Sequence, residues 1–166
     1  MSAYKPAPHY GDVFRLRGQE PLYVVEALGQ NGVIYARRYD LYVGARGAPL
    51  LLAADSAVEV LFSALPCPEE EGWLFCEIEH RVQYEAGEAG IEWFEARGVG
   101  PGGGFRAGRS RPRPFFDGEP LLAAYTAANR AIHRRLVEEL MRAGWQPLVE
   151  PRAAWYAMRL RHKMEG

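Results

Sequence analysis

A chain of 166 residues with 48% apolar and 25% charged side chains has ordinary globular usage, which excludes a mostly disordered polypeptide. No apolar run approaches the ~18 residues of a membrane-spanning helix, and the polar, Pro-rich Met1–Tyr10 lacks a secretory hydrophobic segment. The net charge of −1 points to no partner, but it is unevenly spread: residues 67–99 carry nine acidic and two basic side chains, residues 100–166 twelve basic and six acidic.

The N-terminal part reads as short strands. Val13–Arg17 alternates apolar and basic residues, and Leu22–Leu28 is rich in Tyr and Val. Asn31-Gly32 then precedes a second run, Val33–Arg38. Asn-Gly between two β-rich runs predicts a hairpin, because both residues tolerate positive φ. Leu50–Ala53 is a further apolar run. Asp55 and Ser56 could cap a helix over Ala57–Leu65, while Val58-Glu59-Val60-Leu61-Phe62 also reads as a strand; the cap argument favours helix.

Pro66-Cys67-Pro68-Glu69-Glu70-Glu71-Gly72 cannot build a core element and reads as a linker. It separates a β-rich, small-barrel-like module over 1–66 from an α+β module over 73–166.

The second module opens with strands Trp73–His80 and Ile91–Arg97 around the acidic turn Glu85–Gly90. A glycine-rich loop, Gly98–Gly104, leads to a strand over Phe105–Ser110, and Arg111–Asp117 reads as a long loop. A helix follows. Leu121, Leu122, Tyr125, Ala128, Ile132, Leu136, Leu140 and Ala143 lie on one face at helical spacing. Its start is either Pro120, which buries Asn129, or Arg130, which makes Asn129 the N-cap. Gly144 ends it, with Trp145 folded back on the last turn, and a final strand runs over Ala153–Arg161. The order favours an antiparallel sheet covered by one amphipathic helix, an α+β fold.

The run Ala143-Gly144-Trp145-Gln146-Pro147 followed by Trp155-Tyr156-Ala157-Met158-Arg159-Leu160-Arg161 resembles small bacterial α+β domains of unknown function. These have a helix, a Gly-Trp-Glu-Pro-like corner and a closing strand that starts Trp-Tyr. The resemblance covers roughly the last 90 residues and implies a fold, not an activity; Gln146 stands where Glu is commoner.

Gly98-Val99-Gly100-Pro101-Gly102-Gly103 matches G-x-G-x-x-G. Yet no helix follows to hold a phosphate, and Pro101 removes a donor, so an interstrand loop is expected. Arg106, Arg109, Arg111 and Arg113 fall within eight residues beside Pro112, Pro114, Phe115 and Phe116. Guanidinium groups bind phosphates bidentately, so these four are candidates for anion or nucleic-acid contact; the alternative is an edge strand guarded by like charge. Trp73 and Trp93 are a candidate aromatic platform, or else pack under the helix.

His9, His80, His133 and His162 show no metal spacing, and two cysteines, Cys67 and Cys76, make neither a disulfide framework nor a zinc site. Neither serine lies in a nucleophile elbow. His133 reads as a boundary residue of the helix.

These features favour a non-catalytic binding or interaction protein of a reducing cytoplasm, without metal or cofactor. A protein partner or self-association is expected, and no membrane. One alternative is an Arg-dependent nucleic-acid or anion binder. Another is a small-molecule enzyme with a site between the modules that joins His80, Glu95 and Arg159.

Overall fold

A computed structural model of the chain describes residues 8–64 and 72–164. It holds two antiparallel sheets and one α-helix, an α+β architecture. The chain divides into two compact units, Met1–Leu65 and Pro66–Gly166. The linker reading of Pro66–Glu71 lies outside the described residues, as does Cys67.

The first unit contains β1 (Asp12–Leu16), β2 (Leu22–Leu28), β3 (Ile34–Asp40), β4 (Gly44–Leu52) and β5 (Val58–Ser63). The order is β4-β3-β2-β1-β5, so the hydrogen-bonded path is open, with β4 and β5 at its edges. The β2–β3 hairpin turns at Asn31-Gly32, as expected: both take positive φ, 61° and 73°, and Val33 N–H returns to the Gln30 carbonyl. The expected helix over Ala57–Leu65 is instead β5. Its residues pair with β1 from Leu16↔Val58 to Asp12↔Ser63, and that ladder outweighs the cap signal of Asp55-Ser56, which serve the preceding turn. Phe14, Val25, Ile34, Ala36 and Leu52 form the core, with Phe14 stacked on Tyr23 at 5.8 Å.

The second unit contains β6 (Trp73–Ala86), β7 (Ala89–Gly100), β8 (Gly103–Arg109), β9 (Arg113–Phe115), α1 (Ala127–Arg142), β10 (Gln146–Pro147) and β11 (Arg159–Lys163). Its order is β10-β11-β6-β7-β8, and β9 pairs the start of β7. The G-x-G-x-x-G segment is therefore mostly strand, with only Pro101-Gly102 at the corner between β7 and β8. Its glycines serve packing. A Cβ at Gly98 would collide with the Phe75 carbonyl and meet Phe105 Cζ at 2.7 Å. Gly98 stands opposite Phe105 and Gly90 opposite Phe115, so each ring fills the space its glycine leaves. Arg111–Asp117, expected as a loop, contains β9.

α1 begins at neither expected residue. Thr126 is its N-cap, its Oγ1 accepting the Asn129 amide at 3.1 Å. The backbone before it is held by side chains instead of helical hydrogen bonds. Glu92 accepts the amides of Leu121 at 2.9 Å and Leu122 at 2.7 Å. Asn129 Nδ2 donates to the carbonyls of Leu121 and Ala124, and Trp155 Nε1 donates to that of Ala123. The buried face is consequently Asn129, His133, Leu136, Val137 and Leu140, rotated from the expected one, while Leu121, Tyr125, Ala128 and Ala143 are exposed. Gly144 (φ 97°) closes the helix as expected: its amide reaches the Met141 carbonyl and that of Trp145 the Leu140 carbonyl.

The last strand is shorter than Ala153–Arg161. Residues 153–158 turn, so Trp155 and Tyr156 pack beside Phe94 and His133 and lie outside the ladder.

Candidate anion-binding site

Register separates the two faces of the second sheet, because residues paired across strands share a face. Ile78, Phe94, Ala96 and Gly108 lie under α1: His133 packs on Phe94, and Leu136 and Leu140 approach Gly108. Trp73, Glu79, Arg81, Trp93, Glu95, Arg97, Arg106 and Arg109 lie on the opposite face.

On that opposite face Glu95 is buried, and three guanidinium groups surround its carboxylate. Arg106 Nη1 donates to Oε1 at 3.4 Å, while Arg97 and Arg81 reach Oε2 at 3.6 and 3.8 Å. Arg81 also reaches Glu79 at 3.6 Å, which relieves the like charges of the directly opposed Glu79 and Glu95. Acidic and basic strands thus neutralise one another side by side.

The four candidate arginines consequently divide. Arg106 belongs to the Glu95 cluster. Arg113 Nη1 donates to Asn129 Oδ1 at 3.0 Å and completes the network that pins the segment before α1. Arg109 and Arg111 remain. With Ser110, and with Ile132, Arg135, Leu136 and Glu139 of α1, they line a shallow pocket of about 200 Å³. The guanidinium groups of Arg109, Arg111 and Arg135 have no hydrogen-bond or ion-pair partner among the described residues. Ser110 is committed elsewhere: its hydroxyl accepts the Phe94 amide at 2.9 Å and donates to the Arg111 carbonyl. The sequence reading missed Arg135. Its signal is its place three residues after Ile132, the spacing of neighbours on one helix face.

Trp73 and Trp93 form no common platform. Trp93 stands opposite Arg81, eight residues along β6 from Trp73, a separation of about 26 Å at the usual strand rise. They do not pack under the helix either, since they lie on the face away from it. The Trp73 ring is covered by Arg161 at 4.0 Å and Lys163 at 4.9 Å.

His80, Glu95 and Arg159 do not converge. His80 Nε2 donates to Glu92 at 2.9 Å on the helix side, Glu95 lies on the other face, and Arg159 pairs with Glu150 at 3.0 Å. His133 is fully buried, not a boundary residue. Burial holds its pKa down to about 4, against the hydrogen bond its Nε2 gives the Tyr156 carbonyl at 2.8 Å. Burial likewise pushes the Cys76 thiol up to about 12, leaving it an inert core group. No group of three or more His, Cys, Asp or Glu gathers in metal-binding range among the described residues, and none of their helices is long and apolar enough to cross a membrane.

Compared with known family models, curated proteins and solved structures, the chain matches none.

Proposed function

We propose that this is a non-catalytic binding protein whose ligand carries a negative charge, held by Arg111 and Arg135. The observation behind this reading is that these two residues line one pocket and their guanidinium groups have no partner among the described residues, whereas Arg81, Arg97, Arg106, Arg113 and Arg159 are engaged by carboxylates or an amide. Two arginines against the single Glu139 carboxylate leave the pocket net positive, and an anion relieves that excess while accepting charge-assisted hydrogen bonds.

The pocket supplies binding groups and lacks the means of proton transfer. Its only titratable side chain besides arginine is Glu139, and its one hydroxyl is occupied. The two units are taken as separate modules, over 1–66 and 73–166, because each sheet is complete without a strand from the other. The anion site belongs wholly to the second. A reducing cytoplasm suits the free, buried thiol of Cys76.

The test is titration with inorganic phosphate at several salt concentrations. Affinity should fall with salt, and Arg135→Gln should weaken it roughly tenfold or more, the effect of one charged hydrogen bond. Arg106→Gln should leave it within about twofold, since Arg106 serves Glu95. Equal losses in both variants, or no binding at all, would overturn the reading.

A further inference from the structure

On one side β6 pairs with β7 from Cys76 to Ala86, but on the other it pairs with β11 only from Trp73 to Glu77. Backbone groups point alternately to the two sides along an antiparallel strand. The Ile78 amide donates to the Met158 carbonyl on the β11 side, whereas the Gln83 carbonyl lies against Gly90 of β7. Even-numbered residues of β6 therefore turn their amides and carbonyls outward. At Val82 and Tyr84 these groups have no hydrogen-bond partner among the described residues. Residues 81–86 are all exposed, the apolar side chains of Val82 and Tyr84 included. Such an edge is a template for another strand.

Charge order selects the occupant. Arg81 and Glu85 stand on either side of Gln83. A second copy running antiparallel about Gln83 sets Arg81 opposite Glu85 of that copy, twice by symmetry, and Val82 opposite Tyr84. It also brings the outward amides and carbonyls of Val82 and Tyr84 face to face, as a hydrogen-bonded pair requires. Centring on Val82 instead would oppose Glu79 to Glu85, and centring on Tyr84 would leave Arg81 opposite Gly87. Glu85 has no ion-pair partner among the described residues, and Arg81 reaches Glu79 and Glu95 only at 3.6 and 3.8 Å. Other edge strands lack this complementarity: β4 carries only Arg46, β5 only Glu59, and β8 only Arg106 and Arg109. The bulge at Glu85 ends the shared ladder at the Arg81–Glu85 pair.

The geometry points to a two-fold dimer of this chain, in which the outer edge of β6 from Arg81 to Glu85 pairs antiparallel with the same segment of a second copy. This surface is separate from the arginine pocket, and its test is independent of anion binding.

The experiment is sedimentation equilibrium of the unaltered chain over a range of concentrations, with amide hydrogen exchange at the two ends of that range. The chain should pass from monomer to dimer. The amides of Val82 and Tyr84 should exchange rapidly when dilute and slowly when concentrated, while that of Gln83, which faces β7, stays protected throughout. Glu85→Arg replaces two attractions by two repulsions and should weaken the dimer roughly tenfold. Glu88→Arg makes the same change of charge in the exposed turn, outside the paired segment, and should alter it by about twofold at most. A chain that stays monomeric would leave the edge to a different partner and overturn the proposal. A dimer whose Val82 and Tyr84 amides remain unprotected, or one weakened equally by both variants, would place the interface elsewhere and overturn it too.

Discussion

Arg109 stands directly opposite Glu95 in the register of β7 and β8, yet the Glu95 carboxylate goes to Arg106, three residues away on the same strand. With Arg81 and Arg97 also drawn to Glu95, no share of that charge is left for Arg109. Arg109 is therefore left unpartnered on the face whose other arginines Glu95 neutralises.

Replacing Glu95 tests that partition. Glu95→Gln should release three guanidinium groups on the face away from α1 and so increase retention on a polyanion column. The arginines are about half exposed, so solvent screening limits the loss of stability to roughly 1 kcal/mol. A variant that elutes with the parent would show that Glu95 does not neutralise this face.

His133 makes stability depend on pH. Its folded pKa of about 4 lies below the ordinary value of 6.5, so the unfolded chain takes up the proton first. Its contribution is complete above about pH 6.5 and is lost as pH falls towards 4, to a limit of about 3 kcal/mol. Denaturant unfolding between pH 7 and 4 measures the slope. His133→Gln, whose side-chain amide can still donate to the Tyr156 carbonyl, should flatten it; an unchanged slope would remove His133 as its source.

Glu92 should matter for the segment before α1 well beyond its size. Glu92→Leu leaves the Leu121 and Leu122 amides and His80 without their acceptor, at a cost of about 3 kcal/mol. Hydrogen exchange at Leu121 and Leu122 should accelerate much more than exchange in β6 and β7. Uniform acceleration across the sheet would show that the segment does not open by itself.

Two glycines offer a contrast. Gly98→Ala should destabilise the second unit by several kcal/mol, since the new methyl meets the Phe75 backbone and the Phe105 ring. Gly108→Ala meets only the tips of Leu136 and Leu140, at 3.4 Å, and should cost about 1 kcal/mol or less. Thermal melts of the two variants rank them, and a reversed order would contradict the packing described.

Where local chemistry decides, the sequence could be read directly. Asn31-Gly32 and Gly144 demand positive φ, and the alternation of Val13–Arg17 demands a strand; each is found in place. Where distant side chains decide, it could not. Leu121 and Leu122 have helical spacing, but Glu92, some thirty residues earlier, takes their amides and delays the helix to Ala127. The helix also buries Asn129, His133 and Val137, a face shifted from the expected one. Val58–Phe62 carried both a cap signal and a strand pattern, and only the β1 ladder chose between them. The four arginines were visible as a group, but which of them stayed unpartnered depended on Glu95 and Asn129.

The most direct measurement of the central claim is a phosphate titration followed by backbone amide chemical shifts. The shifts should move at Arg109, Ser110, Arg111, Ile132 and Arg135, saturate together, and stay still at Arg81, Arg97 and Arg106. Shifts centred on the Glu95 cluster, or none that saturate, would contradict an anion site between β8 and α1.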